Sequence, residues 1–147
     1  MADVHTEAIR SYNMSRIRSK NTKPEVLVRK QLHRRGFRFR INVKNMLGKP
    51  DIVLPKYKTV IFVNGCFWHG HKGCRYFVIP KTRTEWWLNK ISRNSLNDEK
   101  VIQILANQGW FSIVLWECEL KNEHLESTIE RCVTALGSYT KPVIQNP

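Results

Sequence analysis

Residues 66–74 read CFWHGHKGC, and no other stretch restricts the possible folds as much. Cys66, His71 and Cys74 follow one another as C-x4-H-x2-C, and Cys118 stands at the end of a later apolar run, where a strand can aim its thiol. Three thiolates and an imidazole suit tetrahedral zinc, and four protein ligands with no open position define a structural site rather than a catalytic one. Such a site ties together segments far apart in the chain. The competing reading is a reduced loop with buried thiols, and Cys132 is read as a core thiol of that kind.

The elements around this loop follow from periodicity. In TKPEVLVRKQLHRRG, Thr22 and Glu25 have capping-box spacing, Pro24 suits a first turn, and Leu27, Val28, Gln31 and Leu32 recur at helical intervals until Gly36. FRFRIN alternates Phe37, Phe39 and Ile41 with polar residues, which predicts a half-buried strand. DIVLP and TVIFVNG, separated by KYK, predict a hairpin whose second strand is apolar on both faces and therefore central. After the Cys/His loop, TRTEWWLNKISRNSLNDEKVIQILANQG predicts a long helix, interrupted near Ser95 and closed by Gly109. WFSIVLWEC predicts a fully buried strand, and NEHLESTIERCVTALG a last amphipathic helix ended by Gly137. The order is that of an α/β protein with one central mixed β-sheet flanked by helices. The expected organisation is a basic arm over 1–21, one domain over 22–137 and a tail over 138–147.

Lys and Arg number 25 against 12 Asp and Glu, a net charge of +13, which points to a polyanionic partner and first of all to nucleic acid. A solvated basic surface and anionic lipid are the weaker readings. No apolar run approaches the roughly 20 residues that span a bilayer, and MADVHTEAIR lacks a secretory apolar stretch, so a cytoplasmic protein with reduced cysteines is expected.

His69 shares the loop but would be a fifth ligand, which leaves it free for another task. Asp51 opens the hairpin, whose geometry brings it close to Val63 and Asn64 at the far end of the second strand. An acid beside a backbone carbonyl and an imidazole suits a hard cation and a general base, the parts needed for Mg2+-assisted phosphodiester hydrolysis. The plainer alternatives are a turn-forming Asp51 and a solvent-facing His69.

The segments MADVHT, RSYNMSRIRSKNTKPE, GKPDIV, FVNGCFWHGH, PKTRTEWWLNKI and GWFSIVLWEC resemble, in order over roughly residues 1 to 120, the very short patch repair (Vsr) DNA mismatch endonucleases. The resemblance implies a restriction-endonuclease-like fold and an enzyme that nicks DNA 5′ to the thymine of a T:G mismatch arising from 5-methylcytosine deamination. It further implies Mg2+ on Asp51 with help from the Val63 carbonyl, His69 as catalytic base, Glu25 and Asp98 as supporting acids, and structural zinc on Cys66, His71, Cys74 and Cys118. The chain departs from the family at Asn64, where histidine is common, at Val63, where threonine is, and in a loop one residue longer. Asparagine neither shuttles a proton nor carries charge near neutral pH, which predicts a simpler pH profile.

An enzyme reading a T:G wobble gains by prying the stack open with apolar side chains. Phe67 and Trp68, stiffened by the zinc ligands on either side, suit that task, and by resemblance Trp87 joins them. Trp87, Lys90 and Asn94 lie along one stripe of the predicted helix, so Lys90 and Asn94 are expected to hydrogen-bond the mismatched bases, with Leu88 and Ile91 packing inward. Trp86, Trp110 and Trp116 are assigned to the interior. In the arm, Met14 and Arg16 are assigned to DNA contact, the arginines clamping phosphates. One nick on one strand needs one site, so a monomer is expected, and the resemblance raises a MutL-type mismatch-repair matchmaker as a further partner. Two rivals remain at this point: a dimeric restriction nuclease of the same fold, and a zinc-containing DNA-binding module without catalysis.

Overall fold

A computed structural model describes residues 22–144, with side chains described from 22 to 137; the arm, with Met14 and Arg16, lies outside the described residues. Helix α1, Lys23–Arg34, begins after Thr22 with Pro24 in its first turn, and the chain turns away at Gly36, whose φ of +92° suits a residue without Cβ. The capping box is not formed, because Thr22 makes no side-chain cap and Glu25 turns inward to 3 % exposure. The same spacing that allows a cap points Glu25 at the domain interior.

Strand β1, Ile52–Leu54, and strand β2, Thr59–Asn64, form the expected hairpin, joined by the 3-10 turn Pro55–Tyr57 and by Lys58 with φ +50°. They pair antiparallel, Ile52 opposite Ile61 and Leu54 opposite Thr59. Strand β3, Phe111–Trp116, lies parallel to β2 with Asn64 opposite Trp116, so β2 is central in a three-stranded mixed sheet of order β1-β2-β3. The long crossover between the parallel strands is helix α2, Thr84–Asn107. Helix α3, His124–Ile144, completes the fold.

Two apolar cores lie on opposite faces of the sheet. Val28 and Leu32 of α1 and Ile129, Cys132 and Leu136 of α3 cover Ile61 and Leu115 on one face; Val101 and Leu105 of α2 cover Val60 on the other. Each fully buried Leu or Ile contributes roughly 1.5–3 kcal/mol. Cys132 is a buried thiol, as read from the sequence. Among the described residues no helix is long and apolar enough to cross a membrane.

Several expectations are corrected. FRFRIN is not a strand: Arg40 alone pairs with Val53, through N–O distances of 2.8 and 2.9 Å, and Asn42 at φ +55° then turns the chain away. Phe37 and Phe39 still pack on the core, so the alternation reported facing rather than pairing. Helix α2 is unbroken at Ser95, and α3 continues past Gly137, since one serine or glycine weakens a packed helix without ending it. Among the described residues strand β3 is an edge strand, and Phe111 at its start is exposed. Trp86, 43 % exposed, and Leu88, 46 % exposed, are not interior. The inward stripe of α2 runs Trp87, Ile91, Asn94, Asp98, Val101, Leu105 at alternating steps of four and three, and Leu88 lies about 100° round the helix from its middle. Trp86 instead carries the Arg83 guanidinium over its ring, 4.7 Å from the centroid.

Candidate active site and metal centre

The polypeptide leaves β2 at Asn64 and enters a series of tight turns. His69 N–H donates to the Gly65 carbonyl at 3.2 Å, and His71 N–H donates to that of Cys66 at 2.9 Å. Cys66 is buried at the sheet end, and the 3-10 turn Glu117–Leu120 that follows β3 brings Cys118 beside it, its N–H donating to Cys66 Sγ at 3.4 Å. The parallel pairing of β2 and β3 is what returns Cys118 to the loop. The ligand atoms of Cys66, His71, Cys74 and Cys118 all lie within 4.8 Å of one another, a group able to hold a metal ion. The imidazole of His71 is stacked on Trp116, with ring centroids 4.1 Å apart and planes 5° from parallel.

The chemistry of this group supports a cation. Burial, then the neighbouring Cys66 and Cys74, push the Cys118 thiol up to about 12, so three sulfurs this close resist ionising together unless positive charge joins them. Soft sulfur and imidazole donors without a carboxylate fit zinc.

The second constellation lies at the same end of the sheet, in a cleft of about 570 Å³ where the start of α1 meets the middle of α2. Asp51 extends the β1–β2 pairing by one residue: its N–H donates to the Ile61 carbonyl at 3.0 Å, and its Oδ2 accepts the Val63 N–H at 2.6 Å. Val63 is thus beside Asp51 as expected, although the contact seen is through its nitrogen. Glu25, projecting from the first turn of α1, faces Asp51 and is bonded to Arg29 Nη2 at 3.1 Å. Burial pushes the Asp51 carboxyl up to about 7; the Val63 N–H and Arg29 oppose this, and the charge of Glu25 adds to it. Two carboxylates in one partly closed site need a proton or a cation between them, which fits a hard divalent ion.

Across the cleft, His69 Nδ1 lies 2.5 Å from Oδ2 of Asp98 on α2. A carboxylate on Nδ1 sets the tautomer and leaves Nε2 as the basic nitrogen. Asn64, only 8 % exposed, lines the same cleft at the end of β2, as do Lys49 and Glu117, which carried no signal in the sequence.

The aromatic residues gather at the rim. Phe67 meets Trp68 at 5.2 Å and Trp87 at 5.3 Å, and Trp68 meets Trp87 at 5.8 Å, all three half-buried. Trp86 packs edge-on against Trp87 at 4.8 Å, and Phe77 against Phe67 at 6.4 Å, so the rings form one cluster rather than separate blades. Lys90 is exposed on α2. Asn94 is turned inward, its Nδ2 donating to the Trp68 carbonyl at 2.9 Å, a contact the sequence did not indicate. Asn94 and Asp98 are the two polar positions of an otherwise apolar inward stripe, and that interruption was the available signal.

Acids at the end of a central hairpin, a carboxylate-held histidine facing them and a mixed sheet between helical layers define a nuclease of the restriction-endonuclease-like class. Residues 2–75 match the family described as DNA mismatch endonuclease Vsr. The chain belongs to that family and is a DNA endonuclease. It is 43 % identical over 144 residues to DNA mismatch endonuclease Vsr of Escherichia coli strain K12, covering 94 % of this chain and 92 % of that one. It is 54 % identical over 123 residues to Type II nicking enzyme V.NmeAIP of Neisseria meningitidis serogroup A, covering 84 % and 87 % of the two chains. Against Type II nicking enzyme V.XorIIP of Xanthomonas oryzae pv. oryzae the identity is 47 % over 122 residues, with 83 % and 89 % covered. A non-catalytic DNA-binding module is thereby set aside.

Proposed function

We propose that this protein nicks one strand of duplex DNA 5′ to the thymine of a T:G mismatch, starting repair of deaminated 5-methylcytosine. The observation that carries this reading is the meeting, in one cleft, of the Asp51–Glu25 acids, the His69–Asp98 pair and the aromatic cluster at its rim. A mismatch substrate is supported by the name of the Escherichia coli relative, and single-strand scission by the names of the nicking enzymes.

Hydrolysis needs a base, an attacking water and charge compensation at phosphorus. His69 Nε2 takes the proton of the water that attacks phosphorus, while Asp98 holds the Nδ1 proton and stabilises the imidazolium that results. Asp51, with the Val63 carbonyl beside it, would hold Mg2+, whose charge stabilises the pentavalent transition state and the departing 3′ oxygen. Glu25, neutralised in part by Arg29, completes the acidic corner. Asn64 cannot act as a second proton carrier, so proton transfer in the cleft falls to His69. Zn2+ on Cys66, His71, Cys74 and Cys118 would be structural, stiffening the loop that carries Phe67, Trp68 and His69.

Recognition follows from the same frame. Phe67, Trp68 and Trp87 enter the weakened stack at the wobble pair, and Lys90 and Asn94 read the mispaired bases. One N–H of the Asn94 amide is donated to the Trp68 carbonyl, which leaves its second N–H and its oxygen to meet a base edge. Met14 and Arg16 of the arm contact the duplex, Arg16 at phosphate. One site serves one nick, so the enzyme acts as a monomer; a MutL-type matchmaker is proposed as a partner on the strength of the family resemblance alone.

The test compares nicking of T:G and C:G duplexes by the wild-type protein and Asp51→Ala, with and without Mg2+. The reading requires Mg2+-dependent nicking of the T:G strand alone, lost in the variant. Equal cutting of both duplexes removes the mismatch specificity.

A further inference from the structure

Helix α2 grips the catalytic loop at three adjacent points. Asn94 Nδ2 donates to the Trp68 carbonyl at 2.9 Å, Ser95 Oγ donates to the His69 carbonyl at 3.0 Å, and Asp98 Oδ2 meets His69 Nδ1 at 2.5 Å. Gly70, at φ +64°, lies so close beneath the helix that a Cβ there would come within 2.7 Å of Ile91 Cγ2 and 3.3 Å of Ser95 Oγ. His69 is therefore held twice from one helix, by its main chain through Ser95 and by its ring through Asp98, three residues further on.

The Ser95 contact is not explained by helix formation. A serine inside a helix commonly returns its hydroxyl to its own backbone, with a slight loss of helix stability relative to alanine. Here the hydroxyl leaves the helix and reaches a carbonyl of the loop, which the tight Gly70 contact keeps at hydrogen-bond distance.

We propose that Ser95 is a positioning residue for the reaction: it fixes the His69 backbone so that the ring, hinged on Asp98, keeps Nε2 aimed at the attacking water. A ring held at one nitrogen only can swing about that bond. A second anchor at the main chain removes the swing, and general-base catalysis is sensitive to displacements of about 1 Å, worth on the order of 100-fold. The inference rests on the reading of His69 as the base.

The experiment uses the full chain loaded with Zn2+ and supplied with Mg2+, and compares Ser95→Ala, Ser95→Thr, Asp98→Asn, the Ser95→Ala/Asp98→Asn double variant and His69→Ala. Single-turnover nicking of a T:G duplex is expected to fall about tenfold in Ser95→Ala. Duplex affinity, zinc content and melting temperature should stay unchanged, and Ser95→Thr should recover most of the rate. Asp98→Asn should mask the effect, so that the double variant is no slower than Asp98→Asn alone. In NMR spectra the low-field proton of the short His69–Asp98 hydrogen bond should be sharp in the wild type and broadened in Ser95→Ala.

Wild-type rate in Ser95→Ala beside an inactive His69→Ala overturns the positioning role and leaves the base intact. Wild-type rate in His69→Ala overturns both. Loss of zinc together with rate in both Ser95 variants, or a loss confined to duplex affinity, would assign Ser95 to the stability of the loop and likewise overturn the proposal.

Discussion

At the scale of the residue, Asp51 is held where a charged carboxylate is costly. Its ordinary value of 3.8 is raised to about 7, chiefly by burial. Between those values the folded chain keeps a proton that the unfolded chain has lost, so the stabilisation is complete below the unfolded value and is lost as pH rises through 7. Asp51→Asn cannot ionise yet keeps an oxygen for the Val63 N–H. In Mg2+-free buffer the variant should therefore melt higher than the wild type at pH 8, with the gap narrowing toward pH 5 and reduced by Mg2+ at pH 8; a gap independent of pH would contradict this origin. That Asp51 and His69 share one cleft was legible, because a hairpin returns the end of its second strand, where the loop begins, to its first residue. From spacing Glu25 was legible only as a helix cap, and its place near the site came from the family resemblance, since local spacing does not reveal that the same face meets Asp51. Ser95 looked like a break in α2 because propensity carries no information about a loop packed on the helix from elsewhere.

Among the elements, the loop over 66–74 and helix α2 act as one unit. Gly70 takes a positive φ and touches Ile91, so Gly70→Ala should lower stability by about 1–3 kcal/mol in denaturant unfolding and slow nicking with it. A fully stable, fully active variant would show that the loop is not pressed on the helix. Metal removal is the companion test. Cys118→Ser, or exhaustive chelation, should lower the melting temperature and release the loop, abolishing the preference for T:G before abolishing duplex binding; retention of the preference by metal-free protein would separate the metal from recognition. Here the sequence was informative in a different degree for each element. The hairpin and the central place of β2 followed from a run apolar on both faces, and the register of the Cys and His ligands from their spacing. The inward stripe of α2 was misread: Ile91 was placed on it correctly, but Leu88 was sent inward, Asn94 was put on a DNA-facing stripe, and Asp98 was not seen to share the inward one, because two polar residues interrupt its apolar period.

For the whole molecule, a net charge of +13 makes DNA affinity strongly dependent on salt. Arg16→Ala should weaken binding to T:G and paired duplexes about equally and flatten the slope of affinity against salt by roughly one ion. Trp68→Ala should leave that slope alone and reduce the preference for T:G. Titrations at several salt concentrations check both, and the opposite ranking would reverse the roles of arm and rings. What the sequence by itself determined is the kind of chemistry present: the polyanionic partner from net charge, a thiol–imidazole group able to hold a metal from composition and spacing, and the layered α/β plan from two periodicities. All of these are properties of residue type and near neighbours, which survive in one dimension. Tertiary structure alone decided which side chains are spent on one another. It turned Glu25 toward Asp51, gave Asn94 to the Trp68 carbonyl, set Ser95 and Asp98 on the two ends of His69, and left Trp86 and Leu88 outside. Those outcomes depend on the parallel return of β3 and the angle at which α2 crosses the sheet, and such relations between distant segments exist only once the chain has packed.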